Sequence, residues 1–138
     1  IYPESNNDQA KQGYYVLKIG YEKMLEAATQ HLIAENYFEQ KQFTLALPLF
    51  KRASTLNPFE IPYRENYANT LLQLNMNVEA IDEINKIEDD NNDLTNKAIY
   101  IRALAFLSID DIRNGCIDLK TLQNKNYIPQ EFYENFCN

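Results

Sequence analysis

The feature that most limits the fold of this chain is an apolar pattern that occurs three times at nearly constant spacing. Residues 43–54 place apolar or small side chains on one face of a helix, and residues 77–88 and 112–122 repeat that face. Ala80 follows Ala46 by 34 residues, and Gly115 follows Ala80 by 35. Three amphipathic helices at one pitch predict an internal repeat.

The segments between these helices also read as helical. Residues 21–40, 62–74 and 95–109 are rich in Leu, Ala, Glu, Gln and Ile and lack internal proline and glycine. Breaks fall where the period requires them: at Asn57-Pro58 and Pro62, in the acidic run 88–93, and in residues 125–129. Short connections between paired helices predict antiparallel helical hairpins in an all-α protein.

The repeat resembles the tetratricopeptide family, which has a large residue, a small residue and Tyr in its first helix, then Ala and Phe, then a closing Pro. The first repeat here carries Ile33, Ala34, Tyr37, Ala46, Phe50 and Pro58. The second carries Tyr67, Ala68, Leu71, Ala80 and Ile84, with Asn92 in the proline position. The third carries Arg102, Ala103, Phe106, Gly115 and Leu119, with Tyr127 in that position and Pro129 two residues later.

This resemblance implies a right-handed α-solenoid of three helical hairpins, residues 27–60, 61–94 and 95–129. Residues 1–26 would form a lead-in and flanking segment, and residues 130–138 a C-terminal capping helix. Small residues at Ala34 and Ala46, at Ala68 and Ala80, and at Ala103 and Gly115 would let paired helices approach closely. Stability in such arrays comes from stacking neighbouring repeats.

The two ends give weaker signals. Residues 14–19, between Gly13 and Gly20, are β-prone but lie where a helix of a preceding repeat would fall, and we expect a helix packed on the first repeat. Residues 1–9 are expected to be a polar lead-in. Near the C-terminus, Phe132 and Phe136 follow Pro129 at helical spacing.

Composition excludes several functional classes. A formal net charge of -7 argues against a nucleic-acid partner, and the single histidine excludes sites that need two. The sequence has no apolar run long enough for a membrane span. Asp89, Asn91 and Asp93 match the start of a calcium loop, but Leu94 and Tyr100 stand where its glycine and glutamate belong. We therefore expect no catalytic residues, cofactor or metal.

Two cysteines, Cys116 and Cys137, lie 21 residues apart without the paired spacing of metal or redox motifs. We expect two free thiols, at least one of them buried, with a single disulfide as the alternative.

The family resemblance implies a concave groove that binds a peptide or protein partner. Its positions here are His31, Glu35, Phe38, Glu65, Asn66, Asn69, Gln73, Lys97, Tyr100, Ile101 and Leu104. Amides at Asn66 and Asn69 suit an extended peptide, and Phe38 and Tyr100 suit apolar anchoring. The clamp for chaperone tails is not expected, because His31, Glu35 and Ile101 occupy positions that its Lys, Asn and Arg should hold.

The predicted function is a non-enzymatic scaffold for protein–protein interaction. The alternative is an accessory domain of a larger bacterial envelope protein, such as a glycan ligase or polymerase, with a positioning role. The given sequence begins at Ile1 and shows neither an initiator methionine nor a signal-like segment, so we expect a processed chain or a fragment of a longer one. A cytoplasmic or envelope location and a homodimer both remain open, as does tethering to a membrane through a parent protein.

Overall fold

The computed structural model describes residues 11–14, 17 and 20–138, and these are helical apart from short connections. The chain divides into two compact units, Ile1–Tyr63 and Arg64–Asn138. No strand occurs in the described ranges, so the all-α prediction is confirmed at that level.

Seven helices follow one another between Tyr21 and Cys137. They are α1 (Tyr21–Glu39), α2 (Phe43–Leu56), α3 (Ile61–Gln73), α4 (Asn77–Asn91), α5 (Asn96–Ser108), α6 (Ile112–Asn124) and α7 (Gln130–Cys137). Their bounds lie close to the segments that periodicity predicts. The C-terminal helix occupies the range predicted from the spacing of Phe132 and Phe136.

The first unit is built on α1 and α2, which pack against each other. Their buried side chains are Ala27, Ala34, Ala46, Phe50 and Ala53. Alanines dominate because two backbones can approach closely only where the side chains between them are small. Of residues 14–19, only Tyr14 and Leu17 are described, and both are helical. The Tyr14 ring lies 6.4 Å from that of Phe59, and the prediction for residues 1–9 lies outside the described residues.

The second unit contains most of α3 and all of α4 to α7. Helix α5 packs against both α4 and α6, and α6 packs against α7. The fully or nearly fully buried side chains in this unit include Ala68, Leu71, Ala80, Ile84, Ile87, Ala103, Leu119 and Leu122. A Cβ atom added at Gly115 would lie 2.9 Å from the Leu107 side chain and 3.4 Å from the Ala103 carbonyl oxygen. Helices α5 and α6 therefore meet closely at Gly115.

The same turn follows α1, α3 and α5 and connects each of them to the next helix. Lys41, Asn75 and Asp110 have positive φ angles of 59°, 59° and 61°. In each turn the next residue donates its N–H to a carbonyl five residues earlier at 2.9 Å; the pairs are Gln42 with Tyr37, Met76 with Leu71, and Asp111 with Phe106. This hydrogen bond satisfies a helix carbonyl that would otherwise lack a partner. These three turns recur at the spacing of the apolar pattern. A fourth turn of the same geometry joins α6 to α7, where Asn126 has a φ of 56° and Tyr127 donates to the Leu122 carbonyl at 2.9 Å.

Candidate functional site

A polar pair joins α3 to α5 in the second unit. Lys97 donates a hydrogen bond from Nζ to Oδ1 of Asn66 at 2.7 Å. Lys97 is exposed and Asn66 is half-buried, so the pair lies at the surface. An ammonium group has three N–H donors and an asparagine amide has two, so the pair can make further hydrogen bonds to a ligand.

The amides of α3 continue along one side of that helix. Asn66, Asn69 and Gln73 are spaced three and four residues apart, which places them on neighbouring turns. Gln73 donates from Nε2 to Oδ1 of Asn69 at 3.4 Å. The structure therefore gives this part of the predicted groove a row of amides beside a lysine, a set that can both donate to and accept from a peptide backbone.

Glu65 differs from its neighbours because it is buried, with 5% of its surface exposed. Its Oε2 accepts a hydrogen bond from the hydroxyl of Thr95, and Thr95 Oγ1 in turn accepts from the backbone N–H of Ala98 at 3.1 Å. Thr95 precedes the first turn of α5, where a negative charge is stabilised by the helix dipole. Glu65 thus anchors the start of α5. The sequence analysis had placed it among the open groove residues, but its buried carboxylate is not open to a partner.

Tyr100 also has internal partners. Its ring lies 6.1 Å from that of Tyr127 and 6.3 Å from that of Phe132 on α7. Ile101 is buried, and Leu104 is half-buried. The apolar positions predicted on α5 therefore take part in packing within the second unit, and Tyr100 is a poor candidate for an open anchor.

The first unit holds the other three predicted groove residues, and the rings of two of them, His31 and Phe38, lie near Phe50. The His31 ring stacks on Tyr63 at 4.3 Å and lies 5.4 Å from the Phe50 ring, while Nε2 of His31 is 3.0 Å from Oε1 of Glu35. Phe38 lies 5.0 Å from Phe43 and 6.2 Å from Phe50. Burial raises the pKa of the Tyr63 hydroxyl, and the negative charges of Glu60 and Glu35 add to this effect.

The pKa of a second tyrosine on α3 is raised as well. Burial raises the pKa of Tyr67, with a further contribution from the nearby negative charge of Glu83. Both shifts favour the neutral phenol, which can donate one hydrogen bond.

Sequence reasoning missed a charge network that joins three helices. Arg102 of α5 contacts Asp118 of α6 through both carboxylate oxygens, at 2.8 and 2.9 Å, and Asn85 and Glu88 of α4 at 2.9 and 3.1 Å. The hydrogen bond to Asp118 is the main cause that raises the pKa of Arg102. Sequence periodicity marks Arg102 only as a large residue of the repeat, because the pattern carries no information on which charges meet.

The expectation of two free thiols is wrong. Cys116 of α6 and Cys137 of α7 form a disulfide, with their Cα atoms 5.6 Å apart. The spacing of 21 residues gave no sign of this, since the connecting turn at residues 125–129 decides which faces of α6 and α7 meet. The bond links the terminal helix to the rest of the second unit.

The described residues contain neither a cluster that could hold a metal ion nor a helix that could cross a membrane. Within residues 11–14, 17 and 20–138, no three histidine, cysteine or acidic side chains converge as a metal site requires. The acidic run expected in a connection instead contributes Asp90, at the end of α4, to an ion pair of 2.7 Å with Arg64. Over the same residues, no helix has the length and apolar character needed to cross a membrane.

Comparison with known proteins adds no assignment. No protein-family model matches this chain, and neither a curated protein nor a solved structure shows significant similarity to it.

Proposed function

We propose that this chain is a non-enzymatic scaffold that binds a peptide or protein partner, with the Asn66–Lys97 pair at the centre of its binding surface. The proposal includes the finer architecture implied by the sequence, an array of tetratricopeptide-like hairpins coiled as a right-handed solenoid. Support comes from the recurring apolar pattern and from the identical turns at Lys41, Asn75 and Asp110.

The observation that carries the proposal is the 2.7 Å contact between Lys97 Nζ and Asn66 Oδ1. The contact brings together the ammonium of Lys97 and the side-chain amide of Asn66, two residues on different helices and 31 positions apart in sequence. Next to it, Asn69 adds a second amide, three residues after Asn66 on α3. A peptide backbone offers alternating N–H and C=O groups, which paired amides can satisfy from one side.

The charges at the Asn66–Lys97 surface favour partners of one chemical type. Glu65 is close in sequence to Asn66, but its carboxylate is occupied by the hydroxyl of Thr95 and buried. Lys97 is thus the exposed charge of this surface, and it favours a partner with a carboxylate or backbone carbonyl at that point. The chain as a whole is acidic, with a formal net charge of -7, so a basic flank on the partner would add long-range attraction.

The test is selection of peptides from a displayed random library, followed by calorimetric titration of the best binder. We expect Asn66→Ala/Lys97→Ala to weaken binding at least tenfold, since two hydrogen bonds, one of them to a charged group, would be lost. The matched control is Asn36→Ala/Lys51→Ala, which removes the same residue types from exposed positions of the first unit. Failure to select any peptide, or equal affinity for both variants, would reject this surface as the site.

A further inference from the structure

A groove of about 450 Å³ lies between α6 and α7, away from the Asn66–Lys97 pair. Residues of α6 from Arg113 to Asn124 form its floor, and Tyr133 of α7 stands at its side. The disulfide cysteine Cys116 is part of the lining. The groove thus depends on two helices that are joined covalently.

The charge of this groove is opposite to that of the chain as a whole. Helix α6 carries Arg113, Asp118 and Lys120 as its charged residues, and Asp118 is buried against Arg102. The two charges that α6 exposes are therefore both positive, in a chain of net charge -7. They stand seven residues apart, which places them two turns from each other on one side of the helix.

An apolar side chain lies between the two cations. Ile117 follows Arg113 by four residues and precedes Lys120 by three, and it is 57% exposed. The Lys120 ammonium lies 5.0 Å from the centre of the Tyr133 ring, which holds the lysine beside the groove. Lys120 also donates to Oε1 of Gln123 at 3.1 Å, so its position is fixed by two contacts.

We propose that this groove binds an acidic peptide segment that carries an apolar side chain. Carboxylates of the segment would pair with Arg113 and Lys120, and its apolar side chain would cover Ile117 and the Tyr133 ring. Charge complementarity selects this occupant, because a basic segment would meet two like charges and a neutral one would supply neither cation with a counter-ion. An acidic helix with apolar residues at one-turn intervals fits the spacing of Arg113, Ile117 and Lys120.

The disulfide keeps the wall of this groove in place. No residue of α7 is buried, so packing alone holds this eight-residue helix weakly. The Cys116–Cys137 bond and the ring contact between Tyr100 and Phe132 connect it to the second unit. Loss of the bond would free α7 and, with it, Tyr133, so binding of the acidic segment should require the oxidised protein.

The experiment is a fluorescence anisotropy titration with a labelled peptide of repeated Glu-Glu-Leu triplets, alongside the same peptide with Gln in place of Glu. We expect the acidic peptide to bind and the Gln peptide to bind at least tenfold more weakly. In the protein, Arg113→Gln/Lys120→Gln should lower the affinity for the acidic peptide about tenfold, which is the loss expected when two modest surface ion pairs are removed. The variant Ile117→Asn, whose side chain is already exposed, should weaken binding without any change in charge.

Matched controls separate this site from general charge attraction and from the Asn66–Lys97 surface. Lys86→Gln/Lys125→Gln removes two exposed charges outside the groove and should leave the affinity unchanged. Asn66→Ala/Lys97→Ala should also retain the affinity for the acidic peptide. The experiment therefore distinguishes a failure of this groove from a failure of the Asn66–Lys97 surface. The proposal is overturned if the acidic peptide does not bind, or if both Gln double variants weaken it equally.

The role of the disulfide has its own measurement. Cys116→Ser/Cys137→Ser, checked by circular dichroism for its helix content, should lose most of the affinity for the acidic peptide. Full affinity in this variant would show that α7 stays in place without the bond and would overturn the requirement for oxidation.

Discussion

Arg102 of α5 holds the Asp118 carboxylate of α6 in a two-pronged contact, with Nε at 2.8 Å from Oδ2 and Nη2 at 2.9 Å from Oδ1. Their side chains are only 13% and 7% exposed. Removing Arg102 would leave the Asp118 carboxylate buried without a counter-ion. Removing Asp118 would leave Arg102 with the more exposed Glu88, at 3.1 Å, as its remaining carboxylate partner. Removing one partner of a buried ion pair is costly.

We expect Asp118→Ala to lower the free energy of unfolding by roughly 3 kcal/mol or more. Arg52→Met is the matched control, because it breaks an ion pair with Glu26 whose side chains are 56% and 43% exposed. That change should cost at most about 1 kcal/mol. Urea denaturation followed by circular dichroism gives both values. If the two variants lose the same stability, Arg102 and Asp118 do not act as a buried pair in solution.

The close helix approach that the sequence predicts at its small residues can be tested at Ala80, which is fully buried in α4. Ala80→Leu adds three carbon atoms at a position with no room for them, and should lower the free energy of unfolding by roughly 1–3 kcal/mol. The neighbouring Glu79 is exposed, so Glu79→Leu adds the same apolar surface without crowding. An unchanged melting temperature for Ala80→Leu would mean that helices do not approach closely at this position.

The helices and the positions of the breaks between them could be predicted from the sequence because both depend on local spacing. Apolar residues at intervals of three and four mark the buried faces, and Ala34, Ala46, Ala68, Ala80 and Ala103 are all buried in the structure. The positive φ of Lys41 was not predicted, since lysine gives no signal for a left-handed turn as glycine would.

The candidate site was predicted less well, because its contacts join residues far apart in the chain. Position in the repeat places Asn66 and Lys97 at the surface, but it does not show that their side chains meet. It also cannot show that Glu65 bonds to Thr95 or that Tyr100 packs against Phe132. The disulfide between Cys116 and Cys137 was the alternative to the expected free thiols. The sequence did not favour it, because the pairing depends on how the chain turns between α6 and α7.

Lys41 offers a test of the repeated turn, since its φ of 59° lies in a region that costs most residues energy. Lys41→Gly should raise the free energy of unfolding by up to about 1 kcal/mol, because glycine has no Cβ atom to clash there. The control Lys51→Gly, at an exposed position within α2, should lower it by about 1 kcal/mol through the poor helix propensity of glycine. Chemical denaturation measures both, and a destabilised Lys41→Gly would contradict the left-handed turn.

The tyrosines predict how stability responds to alkaline pH. The pKa of Tyr63 is raised in the folded protein by burial and by the charges of Glu60 and Glu35, so the folded state keeps a proton that the unfolded chain releases. This contribution is fully present below about pH 10, the usual pKa of tyrosine, and is lost as pH rises through the higher folded value. The free energy of unfolding should therefore fall more steeply above about pH 10 in the wild type than in Tyr63→Phe.

Glu60→Gln should give an intermediate slope, because it removes one of the charges that raise the pKa of Tyr63. Urea titrations at a series of pH values would measure the slopes, and identical slopes in all three proteins would show that Tyr63 is not buried as described.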